Sequence, residues 1–242
     1  MNIAVVFAGG IGSRMNAVVA KPKQFLELNG KPIIIYTLEL FENHPDIDAI
    51  VISCVEKWIP YLKKLLTKYG LTKIRSVVPG GETGQDSIYN GLCAAKNIDK
   101  EENAIVLIHD GVRPLIEEQT ISDNIETVRR LGNCVTCIPA IETFVVKNED
   151  GSLTIPSRSD SLIARAPQSF YLRDILDCHD LARKEGKHDY IDSCTLMTHY
   201  GRKINTVIGP SENIKITTPT DFFIFRAIEE VRENYQIFGL SL

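Results

Sequence analysis

Short runs that are apolar throughout recur along the chain at IAVVFA (3–8), AIVISC (49–54), IRSVV (74–78), AIVLIHD (104–110), NCVTCI (133–138) and INTVIG (204–209). A strand of a parallel sheet reads this way because both of its faces are covered and neither needs alternating polar residues. Between these runs the apolar residues fall three and four apart, the spacing of one face of a helix. PIIIYTLELFEN opens with Pro32 at a first helical position, EKWIPYLKKLLTKYG stops at Gly70, and GQDSIYNGLCAAKN and EEQTISDNIETVRRLG fill the next two gaps. Strand alternating with helix predicts an open α/β sheet with crossover connections.

The rhythm changes after residue 138. TFVVKN and SLTIP are two short β-like runs around Glu149, Asp150 and Gly151, and Asp-Gly is a strong hairpin signal. This predicts a β-arm leaving the sheet at about 139–160. Helical patterns return at 171–184 and 192–200, and TTPTDFFIFRAIEEVREN closes with a helix opened by Pro219. No repeat, low-complexity tract or long linker interrupts the chain, so residues 1–242 are expected to form a single domain carrying the arm.

Composition narrows the partners. At 242 residues with 44% hydrophobic and 24% charged, the chain has the make-up of a soluble globular protein. A formal net charge of −4 offers no general attraction to nucleic acid or to an anionic membrane, so a bound anion must be met by a local cluster of cations. The N-terminus lacks the basic start of a secretory signal, and the apolar runs fall far short of the roughly 20 residues that span a bilayer, which points to a cytoplasmic protein. Cys134 and Cys137 form a C-x-x-C inside a strand-like run with no second pair or nearby histidine, so the six cysteines read as buried thiols rather than zinc ligands.

Ligands of open α/β sheets bind beyond the carboxyl ends of the strands, which is where the first strand breaks into AGGIGSRM. Met15 stands where a dinucleotide fingerprint needs its third glycine, and the P-loop pattern is absent. What remains is a loop in which Gly9, Gly10 and Gly12 let backbone N–H groups approach a polyphosphate and Arg14 supplies charge, against the alternative of a tight structural turn. Lys21 and Lys23 follow in AKPKQFL and would complete a cationic group suited to a triphosphate. A second Gly-Gly turn, Gly80 and Gly81, feeds a helix through Asp86 and Ser87; it is either a capped turn or a wall for a nucleobase. HDGVRP places Asp110 and Arg113 at the end of an apolar strand, as a magnesium-binding carboxylate beside a guanidinium or as a structural ion pair. Val112 removes the second acid of an Asp-x-Asp motif. Lys215, in ENIKITTP, gains interest only if the fold returns it to the first loop.

AGGIGSRM, PKQFLELNGKPIIIYTLELF, GGETGQDSI, HDGVRP, APQSF, DSC and NIKITTP, in this order over almost the whole chain, resemble the family of 2-C-methyl-D-erythritol 4-phosphate and ribitol-5-phosphate cytidylyltransferases. The resemblance implies a Rossmann-like α/β fold, Mg²⁺-dependent transfer of CMP from CTP to a sugar or polyol phosphate, and a homodimer interlocked by β-arms. It implies that Arg14, Lys23 and Lys215 are catalytic cations on the triphosphate. Ala8, Gly9, Gly10, Gly12, Gly80, Gly81 and Ser87 would line CTP, and Asp110 would serve nucleotide and metal. Arg113, Thr143 and Arg158 would hold the acceptor phosphate, the last two reaching in from the partner's arm.

The chain departs from the family pattern at Gly84, where arginine is common, at Ile191, where threonine usually precedes the aspartate, and at Arg165-Ala166, where threonine normally precedes the proline. Ribitol 5-phosphate is the favoured acceptor and methylerythritol phosphate the alternative. A CTP-binding module without turnover is the rival of another class, and an oxidoreductase is disfavoured by Met15.

Overall fold

The structure, a computed structural model, describes residues 1–9 and 21–238. Its centre is β1 (Asn2–Ala8), followed by a two-residue ribbon of β2 (Glu27–Leu28) and β3 (Lys31–Pro32), helix α1 (Ile33–Asn43), strand β4 (Ala49–Cys54), helix α2 (Ile59–Lys68) and strand β5 (Ile74–Pro79). Helix α3 (Gly84–Ile98), strand β6 (Ile105–Asp110), helix α4 (Glu118–Leu131) and strand β7 (Asn133–Pro139) continue the alternation. The arm carries β8 (Val146–Lys147) and β9 (Leu153–Thr154); then come β10 (Leu162–Tyr171), α5 (Leu172–Lys184), α6 (Ser193–His199), β11 (Thr206–Ile208) and α7 (Pro219–Phe238). Seven strands form one sheet in the order β11-β7-β10-β6-β1-β4-β5, with every pair parallel except those made by β10, which runs against both β6 and β7.

The two cores follow from the period of a strand. Ala4, Val6 and Ala8 of β1 face Phe41 of α1, Leu62 of α2 and Ile125 of α4, whereas Ile3 and Val5 face Leu92 of α3, Ile175 of α5 and Met197 of α6. Each such Leu, Ile or Phe withdrawn from water contributes about 1.5–3 kcal/mol, which is what sets the central strands. Helix α3 lies close on β1 because Gly91 has no side chain there; a Cβ would come 2.6 Å from Val5 Cγ1. A third cluster, including Leu28, Val112, Leu115, Ile216 and Phe225, fastens α7 and the segment before it to the end of β6.

All six of the sheet strands expected from the sequence are present, and β10 is the one strand of the seven-stranded sheet that the pattern conceals. Pro167 interrupts its run, and its register on β7 shifts between Ala164 and Gln168, so no alternation survives to be read. Pro32 is the residue before α1 rather than its first, since it also pairs with Glu27 in the small ribbon. Glu56–Trp58 form a 3-10 turn ahead of α2. The hairpin at 139–160 is present and leaves an apolar surface open, with Ile141 82%, Leu153 66% and Ile155 64% exposed. Cys134 and Cys137 are buried free thiols, pushed up to about 12 and about 11 by loss of water. Among the described residues no helix is long and apolar enough to cross a membrane.

Candidate active site

The carboxyl ends of β1, β4, β5 and β6 open onto a cavity of about 560 Å³, within the range of roughly 300–1,000 Å³ that small-molecule sites occupy. Three short segments shape it. At the first, Gln24 Nε2 donates to the carbonyl of Ala8 at 2.8 Å, tying the turn that holds Lys23 to the end of β1. Phe25 anchors the same turn between the rings of Trp58 and Tyr61, at 5.3 and 5.2 Å.

At the second segment, the Gly80 N–H donates to Cys54 O at 2.7 Å, and the Gly81 N–H donates to Ser87 Oγ at 3.0 Å. Ser87 Oγ in turn gives its proton to Thr83 O at 3.0 Å, while Thr83 Oγ1 caps α3 by accepting from the Asp86 N–H. The serine therefore fixes the Gly-Gly wall as well as lining the cavity. A Cβ on Gly81 would run into Asp86 and one on Gly9 into Ser87 Oγ, so both walls approach as closely as they do only without side chains.

The third segment is ionic. Asp110 ends β6 and is 5% exposed. Its Oδ2 accepts from Arg113 Nε at 2.7 Å and its Oδ1 lies 2.6 Å from Lys215 Nζ. Burial alone would raise its carboxyl, but the two cations outweigh burial and hold it well below the usual carboxylate range. Arg113 Nη1 also donates to Asn213 O at 2.8 Å, and Asn213 Nδ2 donates to Ala166 O at 2.6 Å, which positions the segment carrying Lys215. Beneath them His109 is wholly buried, and burial pushes it down to about 4. It is neutral, and since a carbonyl only accepts, its Nε2 carries the proton donated to Arg113 O at 3.1 Å.

A second cavity, of about 220 Å³, shares Phe7, Gly84, Asp110 and Lys215 with the first and adds Arg113, Arg165 and Asp192. A Cβ on Gly84 would meet nothing within 4 Å, so this wall of both cavities is open.

The structure thus brings Ala8, Gly9, Lys23, Gly80, Gly81, Ser87, Asp110 and Lys215 to one cavity and Arg113 to its neighbour. Gly10, Gly12 and Arg14 lie outside the described residues. Thr143 and Arg158 sit exposed on the arm and line neither cavity. Lys21 faces away, 3.4 Å from Glu27 and 5.4 Å from the centre of the Tyr61 ring. Sequence reasoning missed Gln24, Asn213 and Thr217, none of which has a signature apart from the loop that carries it. Among the described residues no group of three or more His, Cys, Asp or Glu could hold a metal. Asp110 is the buried carboxylate of the cavity, whose lining also includes Glu56 and Glu82, and a carboxylate has lone pairs beyond the two contacts it makes. That suits a cation completed by phosphate oxygens rather than a protein cage.

A mostly parallel α/β sheet with a glycine-walled, cation-bearing cavity at its carboxyl edge is the frame of a nucleotidyltransferase. Residues 2–230 match the sequence profile of IspD, 2-C-methyl-D-erythritol 4-phosphate cytidylyltransferase, and the chain belongs to that family. It is 57% identical over 240 residues to a ribitol-5-phosphate cytidylyltransferase of Vibrio parahaemolyticus, covering 99% of this chain and 100% of that protein. A 2-C-methyl-D-erythritol 4-phosphate cytidylyltransferase of Clostridium botulinum is more distant, at 37% over 230 residues, 95% of this chain and 97% of that one. The crystal structure of 4-diphosphocytidyl-2C-methyl-D-erythritol synthase from Anaerococcus prevotii superposes with a TM-score of 0.80 at 26% identity, over 94% of this chain and 95% of that one. The chain is accordingly an enzyme of the cytidylyltransferase class.

Proposed function

We propose that the protein transfers CMP from CTP to ribitol 5-phosphate, releasing pyrophosphate and forming CDP-ribitol. The observation that carries this reading is the junction of the two cavities, where Lys215 and Asp110 belong to both. The larger cavity has room for a nucleotide and the smaller, lined by Arg113 and Arg165, suits a phosphorylated acceptor. The choice of ribitol 5-phosphate rests on the higher identity to the ribitol-5-phosphate enzyme than to the methylerythritol one.

The chemistry asks for no protein nucleophile. An oxygen of the acceptor's phosphate attacks the α-phosphorus of CTP, the new P–O bond forms in line, and the bond to pyrophosphate breaks. Lys23 and Lys215 supply fixed positive charge where negative charge builds up, with Arg14 joining them from the first loop. The glycine walls and Ser87 confine the nucleotide, and Asp110 aims Lys215. Mg²⁺, held by Asp110 and the phosphates of CTP, would neutralise and orient the triphosphate.

The arm is assigned to a homodimer, because it leaves the large apolar side chains of Ile141, Leu153 and Ile155 exposed, and a second copy would cover them. In that assembly Thr143 and Arg158 reach the partner's acceptor site. Light scattering after gel filtration should give a dimer, and Leu153→Asp with Ile155→Asp should give a monomer of reduced turnover.

The deciding experiment is pyrophosphate release from CTP and Mg²⁺ with ribitol 5-phosphate or 2-C-methyl-D-erythritol 4-phosphate. Release with ribitol 5-phosphate alone is the expected result; release with the other acceptor alone would overturn the acceptor. Silence with both from a folded protein that binds CTP would leave a nucleotide-binding module without turnover.

A further inference from the structure

Strand β10 meets the smaller cavity where its register on β7 shifts, and there it contributes Arg165 to the lining. The Arg165 guanidinium makes no hydrogen bond or ion pair among the described residues, and its Nε is buried without a partner. A guanidinium does not shed its proton at any ordinary pH, so its charge and its buried Nε–H remain to be satisfied.

The nearby carboxylates are committed elsewhere. Asp110 is divided between Arg113 and Lys215. Asp192 Oδ1 accepts from the Thr195 N–H at 2.8 Å to cap α6, and its Oδ2 accepts from Gln168 Nε2 at 3.3 Å. Arg113, Arg165 and Lys215 therefore face Asp110 and Asp192 in one cavity, which leaves an excess of positive charge. Arg113 is close enough that, with loss of water, its charge lowers the pKa of Arg165. Among the described residues two of the five donors of Arg113 are engaged, by Asp110 and by Asn213 O. Two guanidiniums with spare donors sharing a small cavity are completed by an oxyanion of high charge and many acceptor positions.

We propose that Arg165 is an acceptor-binding residue, gripping the phosphomonoester of the acceptor together with Arg113. This rests on the cytidylyltransferase reading above, and it assigns to the segment 165–166, where the chain departs from its family's pattern, a part in recognising the second substrate. The contact is made in the ground state as well as during transfer, so it acts on acceptor binding more than on the rate at saturation.

The test is steady-state kinetics of Arg165→Met and Arg165→Lys beside wild type, with each variant's thermal midpoint as the control for folding. The acceptor KM is expected to rise at least tenfold in Arg165→Met while the CTP KM stays within twofold, and Arg165→Lys, which keeps the charge, should recover much of the loss. An unchanged acceptor KM, or acceptor and CTP KM rising together, overturns the proposal. If wild type turns over neither acceptor, the functional reading fails separately, and titration of the CTP-saturated protein with inorganic phosphate decides this one. Affinity for phosphate weaker by about tenfold in Arg165→Met supports it, and equal affinity overturns it.

Discussion

Lys215 Nζ lies 2.6 Å from Asp110 Oδ1, so a lysine from near the end of the chain is held at the tip of a central strand by a buried carboxylate. The other oxygen of that carboxylate binds Arg113, and the whole cluster stands at the junction of two cavities. One aspartate thus sets the positions of two cations that serve two different pockets.

Asp110→Asn should therefore be damaging to the fold as well as to turnover. It leaves the Arg113 guanidinium buried beside an uncharged amide, and breaking a buried pair from one side costs about 3–5 kcal/mol. The folded carboxyl titrates below its unfolded value, so its stabilisation is complete above roughly pH 4 and is lost as pH falls through the lower folded value. Urea unfolding should show wild type and variant well separated at pH 7 and converging only in strong acid. A gap at pH 7 of less than about 1 kcal/mol would mean that the cluster contributes little.

Lys215→Met and Lys23→Ala should separate chemistry from stability. Both lysines are partly exposed, and in Lys215→Met the Asp110–Arg113 contact survives. Losing one fixed charge at the site of developing negative charge typically lowers kcat by about 10²–10³. We expect that loss with thermal midpoints close to wild type. Near-normal kcat in either folded variant would remove that lysine from the mechanism.

Gly9→Ala tests the closeness of the two glycine walls. The new methyl group would collide with Ser87 Oγ, whose proton and lone pair are already committed to Thr83 and Gly81. The CTP KM should rise about tenfold or more. Ser87→Ala alone gives up two hydrogen bonds worth about 1 kcal/mol each, but added to Gly9→Ala it relieves the collision. The double variant should then bind CTP better than the sum of the singles implies, and strict additivity would show that the walls do not touch in solution.

Most of this site was legible because chemistry and strand ends coincide in α/β sheets. Ala8 and Asp110 close two apolar runs, and the Gly80-Gly81 turn follows a third, so their convergence follows from parallel pairing alone. Lys215 carried no such signal: its place depends on packing of Ile216 and Phe225 against Val112, a contact between segments far apart in sequence. Lys21 and Lys23 read alike, and only the 3-10 turn separates the one facing Glu27 from the one in the cavity. Arg165 stands out in the sequence as a departure from the family pattern, but the face it shares is obscured with its strand, since Pro167 and the shifted register remove the alternation.

Two histidines outside the catalytic roles should govern the response to mild acid. His109 lies under Asp110, and His179 of α5 is buried near the Tyr89 ring with neither ring nitrogen hydrogen-bonded among the described residues. Burial pushes each down to about 4, reinforced at His179 by the charge of Arg183. A folded value below the unfolded 6.5 means that the unfolded chain takes up protons first. Their contribution is intact above about pH 6.5 and drains away towards pH 4, at about 1.4 kcal/mol per pH unit for each ring. Denaturant unfolding at steps from pH 7 to 4.5 should show this slope. His179→Phe, which removes the titrating ring from an apolar site, and His109→Gln, which keeps a donor for Arg113 O, should each make it shallower. Slopes in both variants equal to wild type would mean that water reaches these rings and that they titrate as freely folded as unfolded.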